Sequence, residues 1–216
     1  MTVQSMTEER VFHSMNTVGS LILVMGGFNS NGSLTSWDSV ETFDGLRWIK
    51  LPYKLSSPRG SHCVVPISST EVVVIGGSLN VDKLDLIVEK YNIYSGLVSK
   101  IPSKSPETSA HACALKDKDI YISGGFRGDI SQYLSSVQVL NIDTLQWRTI
   151  PSMNFPRVVH TMENLNGVLT VFGGRGFDPE DSAPKRTLEK FDGSKWTSEQ
   201  MQFEHDDHAS ALVPCD

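Results

Sequence analysis

Short apolar runs recur along this chain at an almost fixed interval, each ending in a glycine pair. LILVM, VVVI, IYIS and LTVF lead into Gly26-Gly27, Gly76-Gly77, Gly124-Gly125 and Gly173-Gly174, separated by 50, 48 and 49 residues. Runs of roughly four to six residues, rich in Val, Ile, Tyr and Trp and bounded by Gly, Asn, Asp or Pro, are the pattern of β-strands. No stretch sustains the 3.6-residue period of an amphipathic helix. The pattern predicts an all-β chain with almost no helix.

Other landmarks keep the same register. A histidine precedes each pair by 13 or 14 residues, at His13, His62, His111 and His160, and His208 continues the series. An apolar residue and a turn former follow at Phe43-Asp44, Tyr91-Asn92, Leu140-Asn141 and Phe191-Asp192. Trp48, Val98, Trp147 or Trp196 comes next, and then Pro52, Pro102, Pro151 or Gln200. Arg10, Arg59 and Arg157 stand shortly before their histidines, with Thr108 in that place in the remaining unit. In the third unit the expected strands are His111 to Ala114, Asp119 to Ser123, Ser136 to Asn141 and Gln146 to Ile150. Asn166-Gly167 and Asp192-Gly193 have the composition of two-residue hairpin turns.

Four short strands repeated about every 49 residues read as one blade of a β-propeller. The blades run about 10–58, 59–107, 108–156 and 157–204; residues 1–9 read as the tail of a preceding blade and 205–216 as the first strand of a following one. The Gly-Gly pair, the downstream aromatic and the Trp before the next blade together resemble the kelch repeat, and the resemblance spans essentially all 216 residues. It implies a kelch-type β-propeller, with these four blades forming part of a larger ring of about six. Val98, Leu140 and Thr108 depart from the pattern without breaking its register. Glycine at a strand end signals close backbone approach or unusual φ. The glycines, Trp48, Trp147 and Trp196 are therefore expected to be structural.

Apolar residues make up 39% of the chain and charged residues 20%, which excludes a disordered segment. The formal charge of −6 argues against nucleic acid as a partner. Apolar stretches of about five residues fall far short of the roughly 20 of a membrane helix. No apolar leader stands in the first ten residues. Three cysteines, Cys63, Cys113 and Cys215, without metal-ligand spacing, suggest reduced thiols and a cytoplasmic or nuclear protein.

Little in the sequence promises chemistry. Equivalent histidines on neighbouring blades should be about 10 Å apart, the spacing of packed sheets, too far to share a metal bound at about 2 Å. Glu204-His205-Asp206-Asp207-His208 is dense in ligand types, but an extended strand splits them between two faces. No catalytic motif or cofactor signature appears. Kelch-like enzymes of the galactose-oxidase and specifier-protein types exist, yet the Glu-x3-Asp-x3-His iron motif of the latter is absent. Enzyme activity, metals and cofactors are not expected.

The loops after the glycine pairs differ most between repeats, and variable loops on a rigid scaffold are where recognition tends to reside. Arg59, Arg127, Arg157 and Arg175 fall at that end, with Trp37, Phe126, Tyr133 and Phe177. Arginine and large aromatics dominate binding hot spots, and arginine suits carboxylates. The resemblance implies a module that binds a protein partner through an acidic peptide segment. A substrate adaptor of a ubiquitin ligase is one such module, any ligase scaffold being reached through regions outside this chain; an actin-associated or scaffolding protein is the alternative.

Overall fold

The computed structural model describes residues 4–29, 35–80, 83–104, 106–176 and 183–204. In chain order the strands are β1 (Ser14–Val18), β2 (Leu21–Met25), β3 (Ser39–Phe43), β4 (Trp48–Lys54), β5 (Cys63–Pro66), β6 (Glu71–Ile75), β7 (Ser78–Asn80), β8 (Lys83–Leu84), β9 (Ile87–Asn92) and β10 (Val98–Lys104). They continue as β11 (Ala112–Lys116), β12 (Asp119–Ser123), β13 (Phe126–Arg127), β14 (Gln132–Tyr133), β15 (Val137–Asn141), β16 (Trp147–Ile150), β17 (Thr161–Leu165), β18 (Val168–Phe172), β19 (Thr187–Phe191) and β20 (Trp196–Gln200). Among the described residues the only helical element is a single 3-10 turn at Gly128–Ile130. The first strand of the third repeat starts one residue later than expected and runs on to Lys116, because its ladder with β12 continues to the turn.

The strands form four antiparallel meanders of four, one per repeat: β1-β2-β3-β4, β5-β6-β9-β10, β11-β12-β15-β16 and β17-β18-β19-β20. Two short ribbons, β7-β8 and β13-β14, extend the connections after the second strands. The chain divides into two compact units, Met1–Ser109 and Ala110–Asp216, each holding two of these blades. Within each unit the apolar core lies between blades. In the first unit Val18, Leu23, Met25 and Val40 of one blade meet Leu55, Val64, Val72 and Tyr91 of the connection and the next blade. In the second, Tyr121, Val137 and Val139 meet Met153, Met162, Leu169, Phe191 and Trp196. A four-stranded sheet has two faces to bury and one alone can cover neither, so the repeat itself supplies the core.

The connection between the third and fourth strands is a side-chain-capped turn. The Oδ1 of Asp44, Asn92, Asn141 or Asp192 accepts from backbone N–H groups two and three residues on. The N–H of Lys195, together with the hydroxyl and N–H of Ser194, holds the Asp192 carboxyl down at about 2. Asn166 and Gly167 have positive φ, 51° and 85°, and join β17 to β18 as a two-residue hairpin. Asp192-Gly193 does not: it opens a four-residue connection between Phe191 and Trp196, so the expected two-residue turn there is corrected.

The first glycine of the first and third pairs is required twice over. Gly26 sits at φ 58° and Gly124 at φ 61°. A Cβ on Gly26 would lie 2.4 Å from the Arg59 carbonyl oxygen, and one on Gly124 would lie 2.5 Å from that of Arg157. Both obstacles are backbone, which cannot swing aside. Gly26→Ala and Gly124→Ala are each expected to lower stability by about 2 kcal/mol or more, read as a shift in urea midpoint at constant m-value.

Candidate functional site

The three repeat arginines are interior residues. The side chains of Arg10, Arg59 and Arg157 and of their partners Glu41, Glu89 and Glu189 show 0% exposure. Arg157 donates through Nε (3.2 Å) and Nη2 (3.0 Å) to Glu189 Oε1. Its Nη1 reaches the carbonyls of Gly173 (2.6 Å), Pro184 (2.7 Å) and Thr187 (3.1 Å). Arg10 repeats this with Glu41 (2.9 Å), the Gly26 carbonyl (2.7 Å) and the Ser39 carbonyl (3.2 Å). Arg59 sits 3.3 Å from Glu89 and 3.0 Å from Asp85, and donates to the carbonyls of Gly76 and Ile87. Burial lowers the basicity of Arg59 and Arg157, and their carboxylate partners oppose that shift. Glu189 also accepts from the backbone N–H groups of Asn154 and Phe155.

Each pair thus ties a connection, a glycine turn and a third strand into one knot. The expectation that Arg59 and Arg157 offer their charge to a partner is corrected: every donor direction points into the protein. The glutamates were missed from sequence although a signal existed. Glu41, Glu89 and Glu189 stand two residues before Phe43, Tyr91 and Phe191. At the same register, opposite Ile122 as Glu89 is opposite Val74, the third repeat has Gln138. That is the repeat in which Thr108 replaces arginine. Charge is lost on both sides together.

The histidines serve the glycine turns. A Cβ on Gly26 would lie 2.7 Å from the His62 ring, and one on Gly124 would lie 2.8 Å from the His160 ring. His62 Nε2 lies 3.1 Å from Ser14 Oγ, and His160 Nε2 lies 2.8 Å from Ser123 Oγ. Burial, and then the nearby Arg10 charge, hold His13 below the usual imidazole range. Among the described residues no group of three His, Cys, Asp or Glu side chains is placed to hold a metal. His205, Asp206, Asp207 and His208 lie outside them, as does Cys215. Cys63 and Cys113 are each in a disulfide, which corrects the expectation of reduced thiols.

The remaining sequence candidates flank the loops. In the second unit Phe126 and Tyr133 pair across the β13-β14 ribbon, their rings edge to face at 5.7 Å. Arg127 is half-buried there, its Nε 3.0 Å and Nη2 3.3 Å from the carboxylate of the more exposed Asp129 on the 3-10 turn. Exposed ion pairs of this kind contribute little, so a competing carboxylate can take the guanidinium. Arg175 follows the glycine pair of the next blade; its backbone pairs with Val158 and its side chain is exposed. In the first unit half-buried Trp37 lies between Gly27 and Arg59, donating to Gly27 O, accepting from Arg59 N and sending its indole N–H to Glu9 O at 3.3 Å. Phe177 lies outside the described residues. Trp196 is buried and donates to the Pro151 carbonyl at 2.9 Å, while Trp48 and Trp147 are half-buried.

A family model described as the kelch motif matches residues 107–154. The third repeat thus matches the kelch motif, and the other three share its landmarks. Kelch-like protein 26 of Danio rerio is 26% identical over 151 residues, 67% of this chain and 24% of that protein. An F-box/kelch-repeat protein of Arabidopsis thaliana is 33% identical over 113 residues, 52% of this chain and 36% of that protein. The chain therefore spans well under half the length of these kelch relatives. The solved structure of YjhT matches with a TM-score of 0.76 at 14% identity, covering 89% of this chain and 71% of that one. This likeness concerns the fold: the four four-stranded sheets are blades of a β-propeller.

Two outcomes follow from these buried groups. Glu189→Gln or Arg157→Thr alone is expected to cost about 3–5 kcal/mol, because each leaves a buried charge without its partner. The double variant, which copies Thr108 and Gln138, should lose less than the sum of the two, measured as a coupling energy by urea denaturation. Separately, His13 is lowered on folding, so its contribution is present above the unfolded value near 6.5 and shrinks as pH falls through the folded one. Melting temperature should decline on acidification below about pH 6.5, and His13→Gln should flatten part of that decline.

Proposed function

We propose that this kelch chain is a non-catalytic recognition module that holds an acidic peptide segment of a protein partner at the loop end of its blades. The carrying observation is the pair Arg127 and Arg175. Unlike the buried Arg59 and Arg157, Arg127 is half-buried and Arg175 exposed, and they stand two residues and one residue after a glycine pair, so neighbouring blades of the second unit carry them near the same strand end. Beside Arg127 stand the edge-to-face pair Phe126 and Tyr133 and the exposed Ile130. This mixture of arginine, aromatic and aliphatic surface is the composition of a binding hot spot. An arginine fork adds directional preference for carboxylates.

The finer reading is substrate recognition for a ubiquitin ligase. It draws on the similarity to kelch-like and F-box/kelch-repeat proteins, with the ligase contacts made by sequence outside this chain.

An acidic peptide library read by fluorescence polarisation tests the proposal. Peptides bearing paired carboxylates should bind, more weakly as salt rises. The Arg127→Ala, Arg175→Ala double variant should weaken binding by about tenfold or more at unchanged melting temperature. Equal binding by the variant, or equal binding of basic and acidic peptides, would overturn it.

A further inference from the structure

The hairpin between β17 and β18 differs chemically from the matching hairpins of the first and third blades. Its two turn residues are Asn166 and Gly167, both exposed and both at positive φ. The first blade has Gly19-Ser20 at that place and the third Asp117-Lys118, neither with a side-chain amide. An asparagine followed by glycine is the pair in which a chain most readily cyclises on itself. The glycine nitrogen can reach the side-chain carbonyl carbon, and no Cβ on the glycine obstructs the approach.

A residue just before the turn restrains that nitrogen. Asn164 Oδ1 accepts from the Gly167 N–H at 3.0 Å, while Asn164 Nδ2 donates to the Leu115 carbonyl of the preceding blade at 3.1 Å. One half-buried amide thus fastens the nucleophile and is itself anchored to β11. At the register of Asn164 the first blade has Thr17 and the third Leu115. Among these three hairpins, the restraining amide and the reactive pair occur in the same one.

We propose that Asn166 is a site of spontaneous modification, deamidation through a succinimide, and that Asn164 holds the reaction back while the hairpin is closed. In the reaction a bond forms from Gly167 N to Asn166 Cγ and the Cγ–Nδ2 bond breaks. The Gly167 proton leaves with Nδ2 as ammonia. Water then opens the ring at either carbonyl, giving aspartate, or isoaspartate when the main chain runs on through Cγ. A backbone N–H held in a hydrogen bond loses its proton only when the structure opens locally, so the Asn164 contact sets how often the nucleophile is available. The two products differ in consequence. Aspartate suits the site, since Asp117 holds φ 58° at the matching place in the third blade. Isoaspartate adds a main-chain atom to a two-residue turn whose flanking pair is Leu165 and Val168, so the ladder there must shift.

The purified 216-residue chain, incubated at mildly alkaline pH and mapped by peptide mass spectrometry, tests this. Asn166 should convert more slowly in the folded chain than in urea. Asn164→Ala should speed its conversion about three- to tenfold, the range that one net hydrogen bond is worth. Hydrogen exchange of the Gly167 amide should quicken by a similar factor. Asn164→Asp keeps an acceptor for the Gly167 N–H and should stay close to the wild-type rate. The Asn31-Gly32 pair is an internal reference, because a general loosening of the fold by the substitution would alter its rate too. Conversion of Asn166 as fast in the folded wild type as in urea would overturn the proposal. So would an Asn166 rate unmoved by Asn164→Ala, or a rise matched at Asn31.

Discussion

The architecture depends on a buried guanidinium that belongs to two blades at once. The backbone carbonyl of Arg59 accepts from Gly27 N–H of one blade at 2.8 Å, while its side chain enters the next and meets Glu89 and the Gly76 carbonyl. Arg157 does the same between Gly125 and the Glu189 knot. Glycine turns, histidine rings and third strands are arranged around this residue. Removing it would leave a buried carboxylate without its counter-charge and several carbonyls without their guanidinium donor, and buried groups in that state are costly. A buried ion pair is nevertheless one solution among several, since replacing both partners together can be neutral. The third repeat embodies that alternative: with Thr108 and Gln138 it keeps the register and carries neither charge.

Most of the fold was legible because the landmarks report backbone constraints. Gly26 and Gly124 must be glycine for the left-handed φ and for the approach of an arginine carbonyl, and a constraint of that kind survives in every copy. Strand ends were less legible: a ladder stops where hydrogen bonding stops, and Lys116 extends one although it is polar. The Asp192-Gly193 pair misled because composition alone does not separate a two-residue hairpin from a capped four-residue turn.

The candidate surface was only half legible. An arginine at a loop end reads the same in sequence whether its charge faces solvent or a buried glutamate. The deciding information was the glutamate two residues before each aromatic landmark, present at 41, 89 and 189 and absent together with arginine in the third repeat. Arg127 and Arg175 stand outside that repeat register, and they are less buried than Arg59 and Arg157.

The shared arginine also sets an order on synthesis. The first glycine turn cannot complete its hydrogen bonds until Arg59 has been made, some thirty positions after Gly27. On the ribosome each sheet therefore waits for the opening of its successor before its own innermost corner is fastened. Growing chains of this type mature one step behind the polymerisation that produces them.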